Sequence, residues 1–124
     1  MELIIKKCAH CGAMVEVLKD CTCSNCGIKC CGESMAELKP NTMEASKEKH
    51  LPKIEVIGNN IVVSVDHVME DEHYIEWIAM ASDNGVCRKT LEAGSPAKAI
   101  FPYIAGSRVY AMCNKHGLWE NVVE

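Results

Sequence analysis

The sequence predicts an all-β chain in two parts, a small metal-bound module followed by a β-sandwich. Three observations predict it. Seven of the nine cysteines fall between Cys8 and Cys31. Beyond residue 50, short runs rich in β-branched and aromatic residues succeed one another at the ~8–12-residue spacing of a sandwich. Pro52, Pro96 and Pro102 stand at the edges of those runs, where a residue without an N–H belongs in a sheet protein.

The front module comes first. About 35 residues precede a stretch, Ala36 to Lys47, that contains Pro40, Asn41 and several small or charged residues and reads as a linker. A piece that short lies below the ~40 residues at which an apolar core alone suffices. It needs a metal to fold. The expected division is residues 1–37 for the module, 38–47 for the linker and 48–124 for the sandwich.

The strands follow in order. Ile54 to Ile57, the turn Gly58-Asn59-Asn60, and Ile61 to Val65 form a hairpin pattern. Tyr74 to Ala81 is the next run. Asp83-Asn84-Gly85 is a turn signal, because Asn and Gly tolerate the left-handed backbone a tight turn needs. Val86–Leu91, Ala97–Phe101, Ser107–Cys113 and Leu118–Val123 complete a set of seven.

Composition excludes several classes. Hydrophobic residues make up 48% and charged residues 24% of 124, which is a folded rather than a disordered composition. The net charge of −4, with no basic stripe, predicts no nucleic-acid partner. No apolar run approaches the ~20 residues of a membrane span. Met1 to Lys7 shows no cleavage-site pattern, so no signal peptide is expected, and the expected location is cytoplasmic. In that reducing compartment a dense cysteine block reads as metal ligation and not as a disulfide framework.

Two metal sites are expected. In the front module, Cys8-x2-Cys11 is a metal knuckle. Four thiolates around one ion suit iron or zinc. The second pair of ligands is either Cys23-x2-Cys26 or the vicinal pair Cys30-Cys31, with Cys21 also in reach. A vicinal pair on one ion needs an unusual backbone turn, which Gly32 would relieve. His10, between two ligands, is expected to face solvent. In the back half stand His50, then His67 and His73, then Cys113-x2-His116. Each of these alone is an ordinary histidine or cysteine. As a set, four imidazoles and one thiolate exceed the four ligands a structural zinc takes. Five protein donors with a sixth position open fit a redox-active, octahedrally inclined metal, iron above all.

These residues match a family. Cys8-x2-Cys11 with Cys30-Cys31-Gly32-Glu33-Ser34-Met35 is similar to the desulforedoxin-like N-terminal module of the desulfoferrodoxins. Glu48-Lys49-His50-Leu51-Pro52, then His67 with His73-Tyr74-Ile75-Glu76-Trp77-Ile78, then Cys113-Asn114-Lys115-His116-Gly117, resembles their catalytic domain in order and spacing. The desulfoferrodoxins are two-domain superoxide reductases. The resemblance implies an immunoglobulin-like β-sandwich for the catalytic domain. It implies the vicinal pair as front ligands, so that Cys8, Cys11, Cys30 and Cys31 hold an auxiliary FeS4 centre, with zinc as the other candidate. The additional Cys21, Cys23 and Cys26 depart from the family pattern.

The resemblance also implies roles. Superoxide would be reduced by one electron to hydrogen peroxide at an iron held by His50, His67, His73 and His116, with Cys113 axial. Glu48 is the implied carboxylate that closes the sixth position once the iron is ferric. Rubredoxin is the implied electron donor, and a homodimer the implied assembly. Lys49, beside His50, is expected to attract the anionic substrate to a net negative protein. One charge at about 6 Å and an effective dielectric of about 20 contributes roughly 2–3 kcal/mol before screening. Lys115 is a weaker candidate for the same work. The alternative function is a non-catalytic iron or zinc protein, either an electron carrier or a metal-stabilised interaction module. Trp77 and Trp119 are expected to pack near the ligands, Cys87 to be a small buried hydrophobe, and Met35, Met43, Met69 and Met80 to be packing residues.

Overall fold

The computed structural model describes residues 2–23 and 27–124. The chain forms two compact units, Leu3–Lys39 and Pro40–Glu124, the latter joined by Glu2.

Among its described residues the first unit holds five very short strands, β1 (Ile5–Lys7), β2 (Met14–Glu16), β3 (Lys29–Cys30), β4 (Glu33–Ser34) and β5 (Ala36–Glu37). β2, β1 and β5 pair in that order as an antiparallel sheet, and β3–β4 is a separate hairpin. β5 uses the first two residues of the stretch that composition marks as linker. Among the described residues only Leu3, Ile5, Cys8 and Met35 supply buried apolar side chains here. That is too little to hold 37 residues together. The β3–β4 hairpin turns on two residues, because Cys30 pairs directly with Glu33. Both central residues have positive φ, Cys31 at 53° and Gly32 at 79°. This is the type I′ geometry. Gly32 meets it freely, but Cys31 holds a conformation that a residue with a Cβ seldom adopts.

The second unit opens with one helical turn, α1 (Lys47–His50), and continues with β6 (Lys53–Ile57), β7 (Asn60–Ser64), β8 (Ile75–Ser82), β9 (Gly85–Thr90), β10 (Lys98–Pro102), β11 (Arg108–Cys113) and β12 (Gly117–Val122). The seven strands lie where the runs and turns predict them. They form two antiparallel sheets, β10-β7-β6 and β12-β11-β8-β9. Period-two patterning decides the inner face. On β7, Ile61 and Val63 are buried, and on β10, Ala99 and Phe101 are. They meet Ile75, Ile78, Met80, Val109 and Ala111 of the other sheet in one core. β8 is buried along nearly its whole length, as befits a central strand. No helix among the described residues is long and apolar enough to cross a membrane.

Two local features aim the end of β11. The β11–β8 register slips between Met112 and Cys113, so Cys113 pairs with Ile75 rather than continuing the ladder. Such a bulge redirects a side chain. Beyond it, Asn114, Lys115 and His116 form a three-residue loop that closes on Gly117, whose φ is 80°. A Cβ at Gly117 would come within 3.0 Å of Met43 Cγ. Gly117→Ala is therefore expected to lower the unfolding free energy by roughly 1–2 kcal/mol. Urea unfolding checks this, and an unchanged midpoint would show that the turn relaxes without strain.

Candidate metal centres

Five side chains converge at one end of the sandwich. His50 ends α1, His67 and His73 lie in the loop between β7 and β8, Cys113 ends β11, and His116 sits in the following loop. One donor atom from each lies within 4.8 Å of every other. The rings form a closed cycle. His50 meets His67 at 4.8 Å between centroids, His67 meets His73 at 4.6 Å, His73 meets His116 at 5.1 Å and His116 meets His50 at 4.9 Å. Neighbouring planes stand at 72–89°. This places His50 opposite His73 and His67 opposite His116. Cys113 Sγ lies 3.4 Å from His67 Nε2 and 3.9 Å from His116 Nδ1, and His50 Nε2 lies 3.1 Å from His116 Nδ1. Donors about 2.1 Å (nitrogen) and 2.3 Å (sulfur) from one ion, at right angles, would be roughly 3 Å apart.

The donors are presented for a cation. His50 Nδ1 bonds the Ser46 carbonyl at 2.7 Å and His67 Nδ1 the Val68 carbonyl at 2.5 Å. Each bond leaves Nε2 free to ligate. His73 Nε2 is buried and, among the described residues, has no hydrogen-bond partner. A buried, unpaired nitrogen is costly unless it serves something else. Burial is the main cause that pushes His50, His67 and His73 below the ordinary imidazole value. The neighbouring rings add to it, as do the Lys49 charge at His67 and the Lys115 charge at His73. All three are thus held neutral, the form that binds metal. Cys113 is fully buried. The His116 N–H points at its sulfur, at 3.3 Å. Trp119 stacks on His50 at 5.1 Å and donates its indole N–H to the His116 carbonyl at 3.0 Å.

Glu48 and Lys49 are exposed on α1, beside buried His50. A hollow of about 510 Å³, lined by residues such as Lys89, Leu91 and Lys98, shares no residue with the cluster.

The second cluster is Cys8, Cys11, Cys30 and Cys31, again with sulfurs within 4.8 Å of one another. Cys11 and Cys30 sulfurs are 3.6 Å apart, and Cys30 and Cys31 sulfurs 4.0 Å. Four sulfurs about 2.3 Å from one tetrahedral ion would be roughly 3.8 Å apart. Backbone N–H groups of Cys11 and His10 hold the Cys8 thiol down at about 6. The Cys11 and Cys8 sulfurs push Cys30 up to about 12 and raise Cys31. Without a cation the crowded sulfurs resist full ionisation. His10 is exposed, as expected, and pairs with Glu33 at 3.1 Å. Of the competing cysteines, Cys21 is a free, exposed thiol beside Asp20, and Cys23 is disulfide-bonded. Cys26 lies outside the described residues.

Two expectations need correction. Cys87 is exposed, because β9 is an edge strand with most of its side chains in solvent. Met43 is 48% exposed rather than packed. Met69 is a packing residue, as expected, against the core, and its sulfur accepts the Ile75 N–H. Trp119 touches His50 of the cluster, whereas Trp77 carries the Arg88 guanidinium over its ring at 5.7 Å. The sequence reading missed Asn114. Its side chain accepts the Tyr74 N–H and donates to the Glu72 carbonyl, each at 3.0 Å. Its place inside the Cys113-x2-His116 motif was the available signal.

A family model described as desulfoferrodoxin matches residues 42–122. The desulfoferrodoxin of Syntrophotalea carbinolica is 41% identical over 125 residues, covering 97% of this chain and 96% of the relative. The crystal structure of the superoxide reductase from Treponema pallidum superposes with a TM-score of 0.73 at 27% identity, covering 98% of this chain and 99% of that one. The superoxide reductase (1Fe-SOR) of Giardia intestinalis is matched over 99% of its length by 63% of this chain, with a TM-score of 0.54 at 27% identity.

Proposed function

The chain belongs to the desulfoferrodoxin family, and from that premise we propose that it is a superoxide reductase whose chemistry resides in the cluster of His50, His67, His73, His116 and Cys113. The observation that carries the reading is the ring of four imidazoles with a buried sulfur beside it, together with a buried His73 Nε2 that has no hydrogen-bond partner among the described residues. When iron is bound there, the chemistry it supplies is one-electron reduction of superoxide, O2•− + e− + 2 H+ → H2O2.

The chain's own residues make that possible. Imidazoles ligate a metal as neutral rings and add no charge, so the thiolate that Cys113 would supply sets the donor strength of the site. The His116 N–H bond to sulfur moderates it. The Trp119 stack and the Ser46 carbonyl lock the His50 ring. Lys49 is exposed beside His50, and its charge is felt at His67. It draws superoxide toward the cluster. Glu48, on the same turn, is the hard carboxylate that would bind the iron when oxidised.

Iron in both sites, a rubredoxin-type donor and a homodimer complete the proposal, supported by the family resemblance. The front cluster of Cys8, Cys11, Cys30 and Cys31 is the auxiliary iron site in this reading.

The test is superoxide consumption by the iron-loaded chain under anaerobic conditions with a chemical reductant. One peroxide per superoxide without oxygen evolution is expected. Half a peroxide with oxygen would mark a dismutase, and no consumption a carrier, and either would overturn the reading. Lys49→Ala is expected to slow superoxide capture by about ten- to a hundredfold at low ionic strength, as roughly 2–3 kcal/mol less screening loss allows. Its rate should also respond less to added salt. Stopped-flow decay across a salt series checks both, and an unchanged low-salt rate would remove Lys49 from capture.

A further inference from the structure

His73 differs from the other three imidazoles in how it is held. His50 and His67 each have a second ring nitrogen fixed by a main-chain carbonyl. His116 is three residues from Cys113 and tied to its sulfur through its own N–H. His73 offers a buried Nε2 without a partner. What fixes it is its backbone. His73 and Glu70 exchange two main-chain hydrogen bonds, at 3.0 and 3.1 Å. On either side of His73, residues 72 and 74 are gripped by Asn114. Its Oδ1 accepts the Tyr74 N–H at 3.0 Å, its Nδ2 donates to the Glu72 carbonyl at 3.0 Å, and its own N–H donates to the Tyr74 carbonyl at 3.2 Å.

We propose that Asn114 is a positioning residue for the five-donor site, one carboxamide that sets His73 against Cys113 and His116 before an ion arrives. This rests on the five donors being the metal site of the reading above. The side-chain type suits the work. A carboxamide offers an acceptor and a donor at once, and the two backbone groups require one of each. Aspartate keeps the acceptor, loses the donor and turns an anionic oxygen toward the Glu72 carbonyl. Alanine loses both. Asn114 follows one ligand directly and precedes another by two residues, so any slack in its grip enters the donor geometry with little chain to absorb it.

The test is metal titration of the apo chain with cobalt(II), with zinc as competitor, for wild type, Asn114→Ala and Asn114→Asp. The four-sulfur cluster serves as an internal control. Wild type is expected to take up two tight equivalents. Both variants should keep one and bind the other about ten- to a hundredfold more weakly. The Cys113-to-cobalt charge-transfer band should also shift. A general loss of stability would lower the unfolding midpoint without moving that band. Should Asn114→Ala fail to fold, Asn114→Asp, which retains the Tyr74 bond, carries the test. Two wild-type affinities and an unmoved band in the variants would overturn this inference alone. A wild-type chain binding a single equivalent would overturn the functional reading with it.

Discussion

Cys113→Ser is expected to abolish superoxide reduction while the sandwich stays folded. The sulfur is fully buried, is aimed by the slip in the β11–β8 register, and lies 3.4 Å from His67 Nε2. Serine nearly matches its volume, so packing changes little. The chemistry changes a great deal. A serine hydroxyl remains protonated at neutral pH and offers a hard, neutral donor where the site has its one soft anion. Loss of groups that merely support ligands reduces metal affinity or activity by about ten- to a hundredfold. Loss of the ligand itself should exceed that. Stopped-flow superoxide decay, with near-ultraviolet circular dichroism as the folding control, checks the prediction. A full-speed serine variant would remove the five-donor cluster from the reaction.

Metal removal from the front unit is expected to unfold residues 3–39 and leave the sandwich intact. That unit has strands of two or three residues and only Leu3, Ile5, Cys8 and Met35 as buried apolar side chains among those described. It also holds Cys31 at a φ of 53°. Binding of a structural ion to such a cluster contributes about 10–16 kcal/mol, more than a small core can replace. Hydrogen exchange gives the readout. The amides of Cys8, Val17 and Met35, bonded to Ala13, Ile4 and Ile28 carbonyls, should lose protection on chelation. Amides of β8 and β11 should keep theirs. Continued protection of Met35 in the metal-free chain would contradict the prediction.

Most of this was legible in the sequence, and the parts that were not share a cause. The alternation Ile61-x-Val63 and Ala99-x-Phe101 announces strands because one face of each must be buried. Asp83-Asn84 and Gly58-Asn59 announce their turns by backbone preference alone. The clustering of His50, His67, His73, Cys113 and His116 was legible because Cys113 and His116 form a local chelate and the other histidines of the back half complete a set of donors. What escaped depends on where distant segments meet. Asn114 looks like a loop residue until Glu72 and Tyr74 are placed beside it. Cys87 looks like a core residue until β9 is known to be an edge. The vicinal turn was expected to use Gly32, but Cys31 itself takes a positive φ, since a two-residue type I′ loop requires it at both positions. The five short strands of the front unit carry no pattern of their own, because two or three residues cannot display a period.

The spread of the donors along the chain has a mechanical result. His50 and His116 are 66 residues apart, and their facing nitrogens stand 3.1 Å from each other. An ion held between them acts as a removable cross-link that closes a circuit containing every strand of the sandwich up to β11. By the arithmetic used for covalent staples, closing a circuit of that length withdraws about 4 kcal/mol of disorder from the unfolded chain. Heat resistance of this enzyme should therefore track its metal occupancy, and an ion would escape slowly, since several loops must let go of it together.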